Sequence, residues 1–141
     1  MVQYKLSIAL PTEKKSGSVP LGDAQSSALV GKRIGQAVKG DDIGLEGYEF
    51  VITGGSDYCG FPIRKGLIGT RRKKILITKS VGYRGKLRRL KKTKPMRNKL
   101  GIRRRKSVVP DNVNETTSQI NLKVTKTGPS PIVFVKAEKK K

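Results

Sequence analysis

Lysine and arginine are the residues of this sequence whose spacing points most clearly to a chemistry. Between positions 64 and 106, twenty of the residues are Lys or Arg and none is Asp or Glu. Residues 1–63 carry six bases and seven acids, and residues 107–141 carry six bases and three acids, so one segment holds nearly all of the net charge of +22. A block of like charge at this density repels itself and needs a polyanion as its complement.

Nucleic acid is the polyanion that this segment fits best, and the even mixture of its bases supports that choice. Arg forks suit bidentate phosphate contacts and stacking on bases, whereas Lys supplies mobile point charges. RNA is favoured over DNA, because no helix-turn-helix, zinc finger or heptad zipper presents a helix to a major groove. A solvated face, a nuclear-localisation or heparin-type patch and an arm for anionic membranes remain as alternatives.

The sequence offers few residues for catalysis or metal binding. There is no histidine, so no Ser–His or Cys–His pair and no His-ligated zinc can form. Cys59 is the single cysteine, which excludes an intrachain disulfide. Asp41 and Asp42 are the only adjacent acids, and a solvated turn explains them better than an acid/base pair. We therefore predict no enzymatic activity, no metal, no cofactor and no small-molecule substrate.

Neither a membrane span nor a secretory signal is predicted. No run of about 18 apolar residues occurs. The first five residues alternate polar and apolar types instead of forming the apolar core of a signal peptide. A cytosolic location is expected.

Short strands with Gly and Pro between them dominate the predicted elements. Alternation of apolar and polar residues indicates strands at residues 2–10, 48–53 and 119–125, and shorter strands are expected at 18–19 and 34–38. A helix of two turns, capped by Asp23, is predicted from Ala24 to near Gly31. Further predictions are a buried strand at 75–77, a turn at 54–57 and a last apolar run at 132–135.

This pattern predicts a mostly β protein, a small antiparallel β-barrel or sandwich with one short helix. The whole chain, residues 1–141, is expected to form a single domain. Residues 84–106 are predicted to leave the sheet as a long, basic, irregular RNA-binding arm, in which Pro95 interrupts any helix. Residues 137–141 form a basic tail.

Two local features border the basic segment. Residues 54–57 (GGSD) offer either a left-handed backbone whose amides approach a phosphate or, the favoured alternative, a plain turn in which Asp57 bonds its own backbone. Tyr58, Phe61 and Tyr83 lie next to basic residues and are candidates for stacking on bases, although Phe61 equally suits the core. Cys59 is expected to be a small buried or rim residue.

Three stretches of the sequence resemble one family, the S-six-e type of small-subunit ribosomal protein shared by archaea and eukaryotes. They are residues 47–57 (GYEFVITGGSD) with 60–66 (GFPIRKG), residues 101–108 (GIRRRKSV) and residues 118–124 (SQINLKV). The resemblance extends from Tyr4 to about Val124. The sequence departs from the family pattern at Ile102, where an acid is usual, and at Val109 and Pro110, where Arg-Gly is common.

Residues 85–100 also look longer than the usual loop of the family. The long basic C-terminal helix of eukaryotic members has no counterpart here, so the length resembles archaeal members, and regulation by kinases at that helix is not expected. These departures concern local segments, whereas the matched motifs span most of the chain.

The resemblance implies a structural constituent of the small ribosomal subunit, without enzymatic activity, in the cytoplasm. Its implied partners are small-subunit rRNA and neighbouring small-subunit proteins. A free-standing RNA/DNA-binding chaperone is the alternative function, and an RNA-processing enzyme is a weaker third. The predicted phosphate-binding residues are Arg64, Lys65, Arg71, Arg72, Lys73, Lys74, Arg84, Lys86, Arg88, Arg89, Arg103, Arg104, Arg105 and Lys106.

Overall fold

The fold is known from a computed structural model that describes residues 4–85, 101–132 and 134. Within these residues no helix is long and apolar enough to cross a membrane. The elements, in chain order, are β1 (Lys5–Leu10), β2 (Lys15–Pro20), α1 (Asp23–Ser27), β3 (Ala37–Lys39), a 3-10 turn (Asp41–Ile43), β4 (Glu49–Asp57), β5 (Lys73–Ile77), β6 (Arg104–Val108) and β7 (Thr117–Lys126).

Five strands form one mixed sheet in the order β2-β1-β7-β4-β3. Strands β1 and β7 pair in parallel, with Leu6 opposite Ile120 and Ile8 opposite Leu122, and the other pairs are antiparallel. These four side chains are at most 1 % exposed. The period-two alternation predicted for β1 and β7 is thus confirmed, because successive side chains of a strand point to opposite faces.

One face of this sheet is covered by short segments between the strands. Leu21, Leu29, Ile43 and Val113 are buried in the same hydrophobic cluster as the inward residues of the strands. They come from either side of α1, from the 3-10 turn and from the loop before β7. The helix is shorter than predicted, since it ends at Ser27.

The prediction of a β-barrel is wrong for the described residues. Strands β2 and β3 are the two edges of the five-stranded sheet and do not pair with each other. Strands β5 and β6 pair only with one another and form a separate antiparallel ribbon. With β3 only three residues long and β5 engaged in the ribbon, the sheet stays open.

The predicted irregular arm is also wrong at its C-terminal end. Residues 104–106 belong to β6, where Arg104 lies opposite Ile77 and Lys106 opposite Ile75. Strand β5 is less buried than predicted, because Ile77 is 4 % exposed but Leu76 is 57 % exposed. Residues 86–100 lie outside the described residues, as does the basic tail at 137–141.

Candidate nucleic-acid interface

The β5–β6 ribbon carries the densest positive charge that the structure describes. Half of its ten residues are basic, and all five of these are exposed. Residues directly opposite each other on antiparallel strands share a face, so basic side chains lie on both faces of the ribbon. One face holds Lys74 and Arg105, and the other holds Lys73, Arg104 and Lys106.

A small hydrophobic cluster, separate from the main core, anchors this ribbon. Ile77 of β5 and Val108 of β6 are 4 % and 0 % exposed. Gly82, at φ 94°, comes close to both, since an added Cβ would lie 2.9 Å from Val108 Cγ1 and 3.5 Å from Ile77 Cδ1. Tyr83, which follows Gly82, is itself buried. Ile77 and Val108, which lie at opposite ends of one face of the ribbon, are therefore packed, while its charged side chains are exposed.

Backbone hydrogen bonds connect the ribbon to the five-stranded sheet. The amide of Val109, just after β6, donates to the Pro62 carbonyl at 3.0 Å, and the amide of Arg64 donates to the Val109 carbonyl at 2.9 Å. The amide of Ile63 donates to the carbonyl of Gly55 in β4 at 3.0 Å. These bonds fix the position of the ribbon relative to the sheet.

Residues 54–57 form neither the predicted turn nor a phosphate cradle. They are the end of β4, with Gly54 opposite Asn121 and Gly55 opposite Ile120 in β7. Neither glycine has a positive φ. A Cβ on Gly55 would collide with the backbone carbonyl of Gln119. The second glycine of the motif is thus required by the close approach of β7.

Asp57 is the centre of a buried polar cluster that the sequence did not predict as a whole. Its side chain is 1 % exposed. Oδ1 accepts hydrogen bonds from the amides of Cys59 at 3.0 Å and Phe61 at 2.8 Å, which confirms the prediction that Asp57 bonds its own backbone. Oδ2 accepts from Nε and Nη2 of Arg72 at 2.9 and 2.7 Å.

Arg72 is therefore an internal ion-pair partner, although it was predicted as a phosphate ligand. Its guanidinium lies 4.5 Å from the ring centroid of Phe61 and 5.8 Å from that of Tyr58. The side chain of Cys59, followed by that of Asp57, raises the pKa of Arg72, and a guanidinium is charged at physiological pH in any case. No local pattern signals this pair, because its members are separated by fifteen positions.

The other predicted residues fall into three groups. Arg64 and Lys73 use part of their donor capacity internally: Arg64 Nη1 donates to Ser80 Oγ at 2.8 Å, and Lys73 Nζ donates to the Ile68 carbonyl at 2.8 Å. Lys86, Arg88 and Arg89 lie outside the described residues. The remaining predicted residues are exposed: Lys65, Arg71, Lys74, Arg84, Arg103, Arg104, Arg105 and Lys106. Lys79, which was not predicted as a phosphate ligand, is exposed as well.

These bases have few internal counter-ions. Among the described residues between 64 and 106, Arg72 is the only one within 4.0 Å of a carboxylate. A surface of uncompensated cations on a fixed ribbon can neutralise the phosphates of a polyanion.

Cys59, in contrast to the prediction of a buried or rim residue, is exposed.

The chain is similar in sequence to one family of known proteins. The family model described as ribosomal protein S6e matches residues 4–136. A "Small ribosomal subunit protein eS6" of Methanococcus maripaludis is 36 % identical over 121 residues, covering 86 % of this chain and 88 % of that protein. Proteins of the same name from Methanocella arvoryzae and Methanococcoides burtonii are 31 % and 35 % identical. They are covered to 91 % and 83 % of their lengths, over 100 % and 89 % of this chain. The chain belongs to the ribosomal protein S6e family.

Proposed function

We propose that this protein is a structural constituent of the small ribosomal subunit that binds rRNA through phosphate contacts of the β5–β6 ribbon. Its relatives are named as proteins of the small ribosomal subunit, and the family is one of structural ribosomal proteins, not enzymes. The observation that carries the rRNA contact is the ribbon itself, whose five basic residues are exposed and paired with no carboxylate of the described residues. Such a constituent lies in the cytoplasm, in the ribosome, beside rRNA and neighbouring subunit proteins.

The proposed mechanism is electrostatic. Phosphates that bind the ribbon release condensed counter-ions, and each phosphate neutralised adds about 0.7–0.9 to the slope of log affinity against log salt concentration. The buried residues Ile77 and Val108 hold the ribbon on the body, so the charges are presented in a fixed arrangement. Phosphate groups of neighbouring RNA segments can then approach one another with less repulsion.

Two triple variants of the full chain test this assignment. The ribbon variant replaces Lys74, Arg105 and Lys106 by Ala, and the matched control replaces three bases that are also exposed but lie on the five-stranded sheet. These control residues are Lys5, Lys39 and Lys123.

Each protein is followed through a sucrose gradient of cell lysate, before and after a graded salt wash. We expect the wild type and the control to sediment with the small subunit, and the ribbon variant to leave at lower salt. With isolated small-subunit rRNA, the salt slope of the ribbon variant should fall by about 2–3. Equal losses for both variants would contradict a role of the ribbon. Wild-type protein at the top of the gradient would instead indicate the free-standing chaperone.

A further inference from the structure

We propose that Tyr58 is a base-stacking residue, which binds an unpaired base of the RNA beside the ribbon. This inference rests on the proposed function and adds a second kind of contact to it. All seven aromatic residues of the chain fall in its described part, and Tyr58 is the one that is exposed, at 70 %. Aromatic rings usually bury their large apolar surface, so an exposed ring suggests a partner.

The backbone around Tyr58 is held firmly. Tyr58 directly follows β4, and its amide donates to the Thr116 carbonyl at 3.1 Å. The next residues are fixed by the Asp57 carboxylate, which accepts from the amides of Cys59 and Phe61. A ring on a fixed backbone loses little conformational freedom when it binds, which lowers the entropic cost of association.

The polar guanidinium next to Tyr58 favours a nucleobase over an apolar protein surface. The guanidinium of Arg72 lies 5.8 Å from the centroid of the Tyr58 ring. Despite this contact 70 % of the residue is exposed, so the ring keeps surface for a base. Asp57 balances the charge of this guanidinium, but the planar group can itself stack on a base beside the tyrosine ring. Single-stranded and looped RNA offers such unstacked bases to aromatic side chains.

The chain contains no tryptophan, so a Tyr58→Trp variant carries a single fluorescent reporter at the site. The probe is deproteinised small-subunit rRNA, titrated into the full-length protein. We expect saturable quenching of the indole emission in this variant, because stacking on a base quenches indole fluorescence. The matched control is Val30→Trp, at an exposed position after α1, whose emission should change little.

Affinity measurements give a second readout. A Tyr58→Ala variant should bind the same rRNA about five-fold to 100-fold more weakly. Its salt slope should stay that of the wild type, since loss of stacking releases no counter-ions. Tyr58→Phe keeps the ring and should bind like the wild type.

Several results would overturn the inference. An unquenched reporter at saturating rRNA would contradict it, as would wild-type affinity in Tyr58→Ala. Quenching in assembled subunits but not on rRNA would indicate a protein neighbour and would also refute base stacking. If the wild type shows no salt-dependent binding to rRNA, the proposed function itself fails. A ribbon-dependent salt slope with no effect at Tyr58 would refute only the stacking.

Discussion

Replacing Asp57 by Ala should destabilise the protein by about 3 kcal/mol, because the carboxylate is buried and satisfies four donors. Two are backbone amides, and two belong to the guanidinium of Arg72, with N–O distances of 2.7 and 2.9 Å. Removal of one member of a buried ion pair costs about 3–5 kcal/mol. The Arg72 side chain is 34 % exposed, so water can replace part of the lost contact, which favours the lower end of this range.

A double-mutant cycle separates the pair from the rest of the cluster. The free energy of unfolding is measured by urea denaturation for the wild type, Asp57→Ala, Arg72→Ala and the double variant. We expect a coupling energy of about 1.5–2 kcal/mol, near the lower end of the range of about 1.5–3 kcal/mol for one charge-assisted hydrogen bond, because water reaches the partly exposed Arg72 side chain and weakens both contacts. The same assay applied to Arg72→Lys should show a partial loss, because the ammonium lacks the fork that reaches Oδ2 twice.

The exposed pair Glu49–Lys126 provides the matched control cycle. It joins β4 to β7 at 3.6 Å, with side chains 56 % and 69 % exposed. Exposed pairs contribute about 0–1 kcal/mol, so its coupling should be below about 0.5 kcal/mol. If the Asp57–Arg72 coupling were as small as that of this control, the argument that burial makes the pair structurally important would be refuted.

Two further predictions concern the packing of β4 against β7 and the ionisation of Tyr4. Gly55→Ala should lower the free energy of unfolding, measured by urea denaturation, by about 1–3 kcal/mol, because the added Cβ would meet the Gln119 carbonyl. Gly54→Ala is the control, since a Cβ at Gly54 meets open space and should change stability little. Equal effects of the two substitutions would contradict the close approach of β7. Burial, aided by Glu115, raises the pKa of Tyr4 above its ordinary value of 10.0, so ionisation is resisted more in the folded than in the unfolded state. The free energy of unfolding of the wild type should therefore fall as the pH rises above about 10. The free energy of unfolding of Tyr4→Phe should fall less steeply over this range, although this variant also loses the hydrogen bond to the Asn114 carbonyl. Parallel pH profiles for the two proteins would contradict this cause.

The elements with a clear local period could be predicted from the sequence. Leu6, Ile8, Ile120 and Leu122 alternate with polar residues, and each lies on the buried face of β1 or β7. Burial alternates along a strand whatever the partner strand is, so the pattern is visible in a short window. The acid-free basic segment and the family motifs are likewise properties of the sequence alone.

The elements that were predicted wrongly are those whose structure depends on a distant segment of the chain. Residues 104–106 have the composition of an arm, yet they form β6 because their backbone pairs with β5, about thirty positions earlier. Gly54 and Gly55 have the composition of a turn, yet they continue β4 because β7 lies alongside. The prediction of a barrel failed for the same reason, since strand order depends on which backbones pair.

Charge and periodicity are properties of neighbouring residues, whereas the pairing of strands and of ionic side chains is not. The sequence by itself determined that the protein is mostly β, that its charge is concentrated in one segment and to which family it belongs. The tertiary structure decided that β1 pairs in parallel with β7 and that Arg72 pairs with Asp57, while its described basic neighbours have no carboxylate within 4.0 Å. Backbone hydrogen bonds and buried ion pairs join residues far apart in the chain, and only the folded arrangement selects those partners.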